Sequence, residues 1–305
     1  MRIGLFALQS VLFDRTSIAY GCVGASRWPF PWSPRSAAAF SERIADSGDY
    51  NVRAAELSLM SSSFRLDFTA DEPPEATVIA GFPGPGMAAV SANQYLIEQM
   101  DLEQNGHIHA EGLPAITPYE NGRPYHPTRL FSTDELPVTV LTSELPVPVQ
   151  LSEPFGRVLL DWIEDRDVKE VTLLTTIPQL DSGKSVSYVA SEDYVDHRLT
   201  DTPFEPLTGG FLTGVNAGLI DRAIDTELRV GVIATGVHPY RPLDPEATLR
   251  LVDAMMTLYG FDVDVEQLRE FAGRMRQHYE ELTEQIEAQD QTQQRTRGFE
   301  DYGFM

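Results

Sequence analysis

Residues 77–87 read TVIAGFPGPGM, and this stretch decides the fold. Its first four residues form a short, apolar and β-branched run, which predicts a buried strand. A turn rich in glycine and proline follows at 81–86, and apolar residues then recur at helical spacing through 87–100. The stretch therefore predicts a strand that enters a helix directly through a tight turn.

The same alternation of strand and helix continues to Gly260. Further strands are predicted at 107–110, 138–141, 171–174, 186–190 and 228–234, and further helices at 153–164, after 209–210 and at 245–259. The last of these helices has Asp244 as its N-cap, Pro245 at its first position and Gly260 just past its end. Apart from Arg229, the strand at 228–234 is apolar throughout, as in a sheet that is covered on both faces. The alternation predicts a three-layer α/β/α sandwich.

A long helix is predicted after this domain, over residues 263–288. Its apolar side chains recur in steps of three and four, as in a heptad repeat: Val265, Leu268, Ala272, Met275, Tyr279, Leu282 and Ile286. Two interpretations stay open, a helix packed on its own domain and a protruding or self-associating helix. Residues 289–305 predict a flexible tail, because 289–297 are polar and low in complexity. The tail ends in FEDYGFM, and its three aromatic residues indicate a docking peptide.

The first 59 residues differ from the rest in charge. They hold six Arg and five Asp or Glu, whereas residues 60–305 hold 17 cations and 41 anions. Three interpretations apply: translation that starts at Met60, a signal segment in which Arg2 precedes an apolar stretch, or a disordered extension. We favour a start at Met60, so that the α/β domain covers residues 60–262.

Composition excludes several classes of protein. The chain carries 46 Asp and Glu against 23 Lys and Arg, a net charge of −23, which argues against binding to nucleic acids or to anionic membranes. No apolar run reaches the ~20 residues of a membrane span. Only Lys169 and Lys184 are lysines, and such an acidic, lysine-poor surface suits a halophile, since molar salt shortens the Debye length to about 3 Å. With Cys22 alone, no intrachain disulfide can form.

Motifs for cofactors and metals are weak. Residues 84–89 fit the dinucleotide pattern G-x-G-x-x-A, but two prolines remove amide donors there, so we favour a tight turn. His107, His109 and His126 lack a metal-binding motif, and we expect neither a metal nor a cofactor.

An enzymatic site at the carboxyl ends of the strands is the alternative that stays open. Glu144 and His238 would form an acid–base pair there if they converge. The predicted crevice consists of Gly81, Phe82, Gly84, Gly86, Glu144, Gly214 and His238.

Five segments together resemble the PAC2 family, the proteasome assembly chaperones and their archaeal relatives. In this sequence they are AGFPGPGM at 80–87, EGLPA at 111–115, SELPVP at 143–148, GFLTGVNAGL at 210–219 and TGVHPYRPLDP at 235–245. The resemblance covers residues 76–268, in order and at the expected spacing. It implies a phosphorylase/hydrolase-like α/β/α sandwich, a homo-oligomer and a cytoplasmic partner of 20S proteasome α subunits.

The resemblance also implies a docking tail that ends in a hydrophobic residue, a tyrosine and any residue. A terminal carboxylate would pair with a pocket lysine while the aromatic ring fills a groove. Here Phe304 holds the aromatic position without the hydroxyl, Gly303 is not hydrophobic, and Tyr302 comes one place early. The prediction is a non-enzymatic chaperone that docks through Tyr302, Gly303, Phe304 and Met305. The alternative is a hydrolase or a phosphorylase-like enzyme that acts on a small ligand in the crevice.

Overall fold

The computed structural model describes residues 63–69, 77–111, 116–179 and 185–300. The chain divides into two units, and the larger one, formed by 64–109 and 116–305, contains the central sheet and the helices. The smaller unit consists of 1–63 and 110–115, and almost all of it lies outside the described residues. The three interpretations of the first 59 residues concern this part of the chain and stay predictions.

A nine-stranded sheet forms the centre of the protein, in the order β1-β3-β6-β7-β2-β8-β11-β9-β10. Its strands are β1 (Ser63–Phe68), β2 (Thr77–Gly81), β3 (Glu103–Glu111), β6 (Thr128–Thr133), β7 (Leu136–Ser143), β8 (Glu170–Pro178), β9 (Val186–Ala190), β10 (Glu205–Pro206) and β11 (Arg229–Val237). A separate hairpin contains β4 (Tyr119–Glu120) and β5 (Arg123–Pro124). The central strands β7, β2, β8 and β11 are parallel to one another. The antiparallel strands β6 and β9 flank them on either side.

Helices cover both faces of this sheet. They are α1 (Ala88–Gln99), α2 (Ser152–Asp165), α3 (Glu192–Tyr194, followed by a π-helical turn at Val195–Leu199), α4 (Gly214–Ile224), α5 (Pro245–Tyr259) and α6 (Glu266–Glu300). Successive residues of β2 alternate between the two cores: Ile79 packs in the core that includes α1 and α5, and Val78 and Ala80 in the core that includes α2 and α4. The α/β prediction is confirmed, with a large central sheet between two helical layers.

Helix α5 has the ends that the sequence predicts. The Asp244 side chain accepts a hydrogen bond from the backbone N–H of Ala247 at 3.0 Å, and Pro245 opens the helix. Gly260 closes it in the left-handed region with φ +70°, where a residue without Cβ is least strained.

Helix α6 runs antiparallel to α5 and packs on it. Leu268 and Ala272 are buried, and the Tyr279 hydroxyl donates to the carbonyl oxygen of Leu243 at 3.0 Å. The helix therefore packs on its own domain as far as Tyr279, and the next heptad residue, Leu282, is 39% exposed. It then continues to Glu300, past residue 288, where the sequence pattern predicts a linker. The Gln, Arg and Glu residues of that stretch are good helix formers, so a polar composition does not end the helix.

Candidate functional site

The four parallel strands end at one edge of the sheet, and four loop segments at this edge share one property. Loops 82–87, 145–151 and 238–240 follow β2, β7 and β11, and loop 209–213 reaches the same edge because α4 begins there, beside the start of α2. None of these four segments contains Asp, Glu, Lys or Arg, although the chain carries a net charge of −23. Charged residues directly adjoin or closely follow two of the segments, namely Glu144, Arg241 and Asp244. We call these four loops the uncharged edge.

Large apolar side chains are exposed on the uncharged edge. Phe211 is 100% exposed, Tyr240 83% and Val149 66%. Beneath them, Phe82, Val147 and Leu212 are only partly buried and pack against the core of α2 and α4. Exposed aromatic residues in an uncharged surface are typical of protein–protein contacts.

The turn at 82–86 fits tightly against its neighbours. The Thr176 hydroxyl donates to the carbonyl oxygen of Pro85 at 2.9 Å, and a Cβ atom on Gly84 would lie 3.1 Å from Thr176 Oγ1. Gly86 adopts φ +68°, and a Cβ atom there would lie 2.9 Å from the Cβ of Asp244. A Cβ atom on Gly81 would lie 2.8 Å from the carbonyl oxygen of Ala89. The glycines serve close packing of the turn, as a tight turn requires.

Glu144 lies after β7 and is bound by two neighbours. Its carboxylate accepts a hydrogen bond from the Tyr125 hydroxyl at 2.8 Å and forms an ion pair with Arg129 at 2.5 Å. Burial, reinforced by the hydrogen bond to Glu144, raises the pKa of Tyr125 well above its ordinary value. This arrangement fixes the start of β6 to the end of β7.

His238 and Glu144 are not brought together. His238 follows β11, which is separated from β7 by β2 and β8. Three strand spacings of about 4.8 Å place the two residues roughly 14 Å apart along the edge, too far for a shared proton. His238 instead contacts its own loop, where its Nδ1 accepts from the backbone N–H of Tyr240 at 3.4 Å.

Gly214 lies at the start of α4. Its φ is +69°, and a Cβ atom there would lie 3.5 Å from the Ser152 hydroxyl. The start of α4, and with it the 209–213 loop, therefore lies next to the start of α2.

Two surface depressions lie at the opposite edge, where the parallel strands begin. One, of about 820 Å³, is lined by residues that include Lys169, His197 and Arg229, and the other, of about 540 Å³, by residues that include Thr77 and Tyr259. Neither contains a residue of the predicted crevice.

A buried carboxylate lies between these depressions. Glu170 is fully buried and accepts from Arg198 Nε at 2.8 Å, from Arg229 Nε at 3.1 Å and from the Tyr259 hydroxyl at 3.0 Å. Its charge is neutralised within the fold, so the cluster anchors the start of β8.

His107 and His126 also come together, which the sequence did not predict. Their rings stack with centroids 3.8 Å apart and an interplanar angle of 6°. Stacked rings do not direct their nitrogens at one point, and within the described part of the chain no three His, Cys, Asp or Glu side chains are placed to hold a metal ion. In the same part of the chain, no helix has the length and apolarity to cross a membrane.

The predicted docking residues Tyr302, Gly303, Phe304 and Met305 lie outside the described residues. Sequence reasoning missed Val149, Phe211 and Tyr240 as surface residues. A signal for them was present, because the runs 145–152, 206–220 and 230–240 are free of Asp, Glu, Lys and Arg in a strongly acidic chain.

Comparison with known proteins gives one family match. The model of the PAC2 family matches residues 78–283. An uncharacterized protein of Methanocaldococcus jannaschii, MJ0106, is 22% identical over 213 residues, which cover 68% of this chain and 85% of that protein.

Solved structures share the fold. Pyrococcus furiosus PbaA, described as an archaeal homolog of proteasome-assembly chaperone, matches with a TM-score of 0.64 and 21% identity, over 79% of this chain and 100% of its own. P. furiosus PbaB, described as an archaeal proteasome activator, matches with a TM-score of 0.62 and 15% identity, over 72% of this chain and 99% of its own. At this level of identity the likeness establishes the fold alone.

Proposed function

The chain belongs to the PAC2 family, and from this membership we propose that it is a non-enzymatic, proteasome assembly chaperone-like protein of the cytoplasm. Its partners are 20S proteasome α subunits, which it binds in part through its C-terminal tail. The descriptions of PbaA and PbaB, whose folds it shares, support a proteasome-related partner.

Helix α6 is the observation that carries this proposal. Among the side chains that the structure describes, Tyr279 makes the outermost hydrogen bond from α6 to the body, and the helix continues for 21 residues to Glu300. At 1.5 Å per residue this extension is roughly 32 Å long, about the width of a small domain. The last five residues of the chain follow this helix directly, and we propose that they act as a terminal docking peptide.

The tail has side chains that a docking peptide needs. Tyr302 and Phe304 are aromatic anchors, and the carboxylate of Met305 can pair with a lysine in a pocket of the partner. The one-residue offset of Tyr302 from the family pattern predicts a shifted register in the same type of pocket.

Self-association is part of the same proposal. The heptad pattern continues at Leu282, which is exposed beyond the contact with α5. A second copy of α6 can cover this position, so we propose a homo-oligomer joined along the outer part of the helix.

The enzymatic alternative has less support. It relied on Glu144 and His238, but Glu144 is bound by Tyr125 and Arg129, and three strand spacings separate it from His238. No other observation at the strand ends favours a reaction.

A binding assay tests the proposed function. The full chain, and a variant that ends at Asp301, are mixed with purified proteasome α subunits in molar salt and followed by sedimentation velocity. We expect the full chain to sediment with α subunits and the shortened variant to bind them more weakly. Absence of binding by the full chain would overturn the proposal.

A further inference from the structure

The uncharged edge holds several exposed or partly exposed apolar side chains, which we call the apolar patch. Val149 and Phe211 are its exposed members, and Phe82, Val147 and Leu212, from the same loops, are partly buried against the core. The two loops that carry Val149 and Phe211 are neighbours, since α4 begins at Gly214 against Ser152 of α2. A net charge of −23 keeps the rest of the surface hydrated, so a patch of this kind is the part of the surface best suited to contact another protein.

Helix α6 extends past this same edge. It runs along α5 from the end of that helix towards its start, and Arg276 forms an ion pair with Glu246, in the first turn of α5, at 3.0 Å. Tyr279 then contacts Leu243, which lies two residues before α5 and so level with the ends of the parallel strands. The remaining 21 residues of α6 continue beyond that level. A partner held by the tail is therefore on the side of the body that carries the apolar patch.

We propose that the apolar patch is a second docking surface for the partner protein that receives the tail. This inference rests on the proposed function and identifies the surface of the body that takes part in it. The part of α6 beyond Tyr279 is roughly 32 Å long, close to the diameter of a small domain, so a domain bound at the end of the helix can reach the patch. The matching surface on the partner is apolar and uncharged, as on a subunit face that is exposed before assembly.

Charge-introducing substitutions on exposed side chains test the proposal without disturbing the core. Phe211→Asp and Val149→Asp place a carboxylate in the patch. Ile224→Asp is the matched control, because Ile224 is 73% exposed but ends α4 at the opposite edge. Each variant is made in the full chain, and circular dichroism checks that it folds.

Affinity for purified α subunits is measured in molar salt, together with the oligomeric state of each variant. We expect Phe211→Asp to weaken binding by about tenfold or more, as for a central aromatic contact, and Ile224→Asp to leave it unchanged. The oligomeric state should be the same in all variants.

Three results would overturn the proposal, each in a different way. Patch variants that bind like the unmodified chain, while the chain ending at Asp301 does not bind, would leave the tail as the sole contact. Patch variants that bind α subunits normally but dissociate into smaller species would identify the patch as a contact between copies. A failure of the unmodified chain to bind would remove the proposed function, and this inference with it.

Discussion

Asp244 contacts Gly86 through both its backbone and its side chain. Its backbone N–H donates to the carbonyl oxygen of Gly86 at 2.9 Å, and its Cβ lies where a Cβ atom on Gly86 would be only 2.9 Å away. The same aspartate caps α5 through Ala247. One residue therefore joins the loop after β2 to the loop after β11 and fixes two parts of the uncharged edge relative to each other.

Gly86→Ala should destabilise the protein more than a glycine substitution at an open site. Gly122→Ala is the matched control, since Gly122 has φ +78° and no atom within 4 Å of an added Cβ. We expect about 1 kcal/mol for the strained backbone at Gly122, and a further 1–3 kcal/mol, roughly, at Gly86, where Asp244 must also move. Chemical denaturation measures both. Equal losses for the two variants would show that the contact with Asp244 is unimportant.

Glu170→Gln should be strongly destabilising. The fully buried carboxylate balances Arg198 and Arg229, and its loss leaves two guanidinium groups without their counter-charge. We expect a loss of about 3 kcal/mol in the free energy of unfolding. The control, Glu153→Gln, removes an exposed pair with Arg157 and should cost less than about 0.5 kcal/mol. A small effect for Glu170→Gln would mean that the cluster is neutral for stability.

Stability should fall at acidic pH because of His126. Burial, with the nearby His107 and His109, lowers the pKa of His126 below its ordinary value. The unfolded chain then binds the proton more readily than the folded one, so this contribution is present above about pH 6.5 and is lost as the pH falls below it. His126→Gln should lose less thermal stability between about pH 7 and pH 5 than the unmodified chain.

His278→Gln is the control for that experiment, since His278 lies exposed on α6. It should follow the unmodified chain over the same range of pH. Identical pH profiles for His126→Gln and the unmodified chain would contradict the assignment.

Salt should stabilise the protein if its acidic surface is an adaptation to a halophilic cell. The net charge of −23 makes the folded state repel itself at low ionic strength. Raising KCl from about 0.1 M to about 1 M shortens the Debye length from about 10 Å to about 3 Å, so the midpoint of thermal unfolding should rise. A midpoint that is independent of KCl would argue for an ordinary acidic protein.

Local patterns in the sequence predict the parallel core well. Asp244, Pro245 and Gly260 mark both ends of α5 because caps depend on neighbouring residues only. The strand at 186–190 and the helix at 153–164 were likewise found to within a residue or two. Strand β6 was missed, because its sequence, TRLFST, mixes polar and apolar residues and forms a strand only between β3 and β7.

The candidate site was harder to predict than the fold. The sequence shows that Glu144 and His238 each follow a strand, but the order of the strands, which sets their separation, depends on long-range pairing. The exposure of Phe211 and Val149 also depends on how α2 and α4 begin side by side. Composition alone would assign such apolar residues to the core.

Hydrogen–deuterium exchange of the full chain, with and without proteasome α subunits in molar salt, tests the central claim most directly, because it locates the contact surface. The account predicts slower exchange in loops 145–151 and 209–213 and in residues 301–305 when α subunits are present. It predicts no change at the opposite edge, around Lys169 and Arg229. Protection confined to that opposite edge, or no protection anywhere, would contradict it.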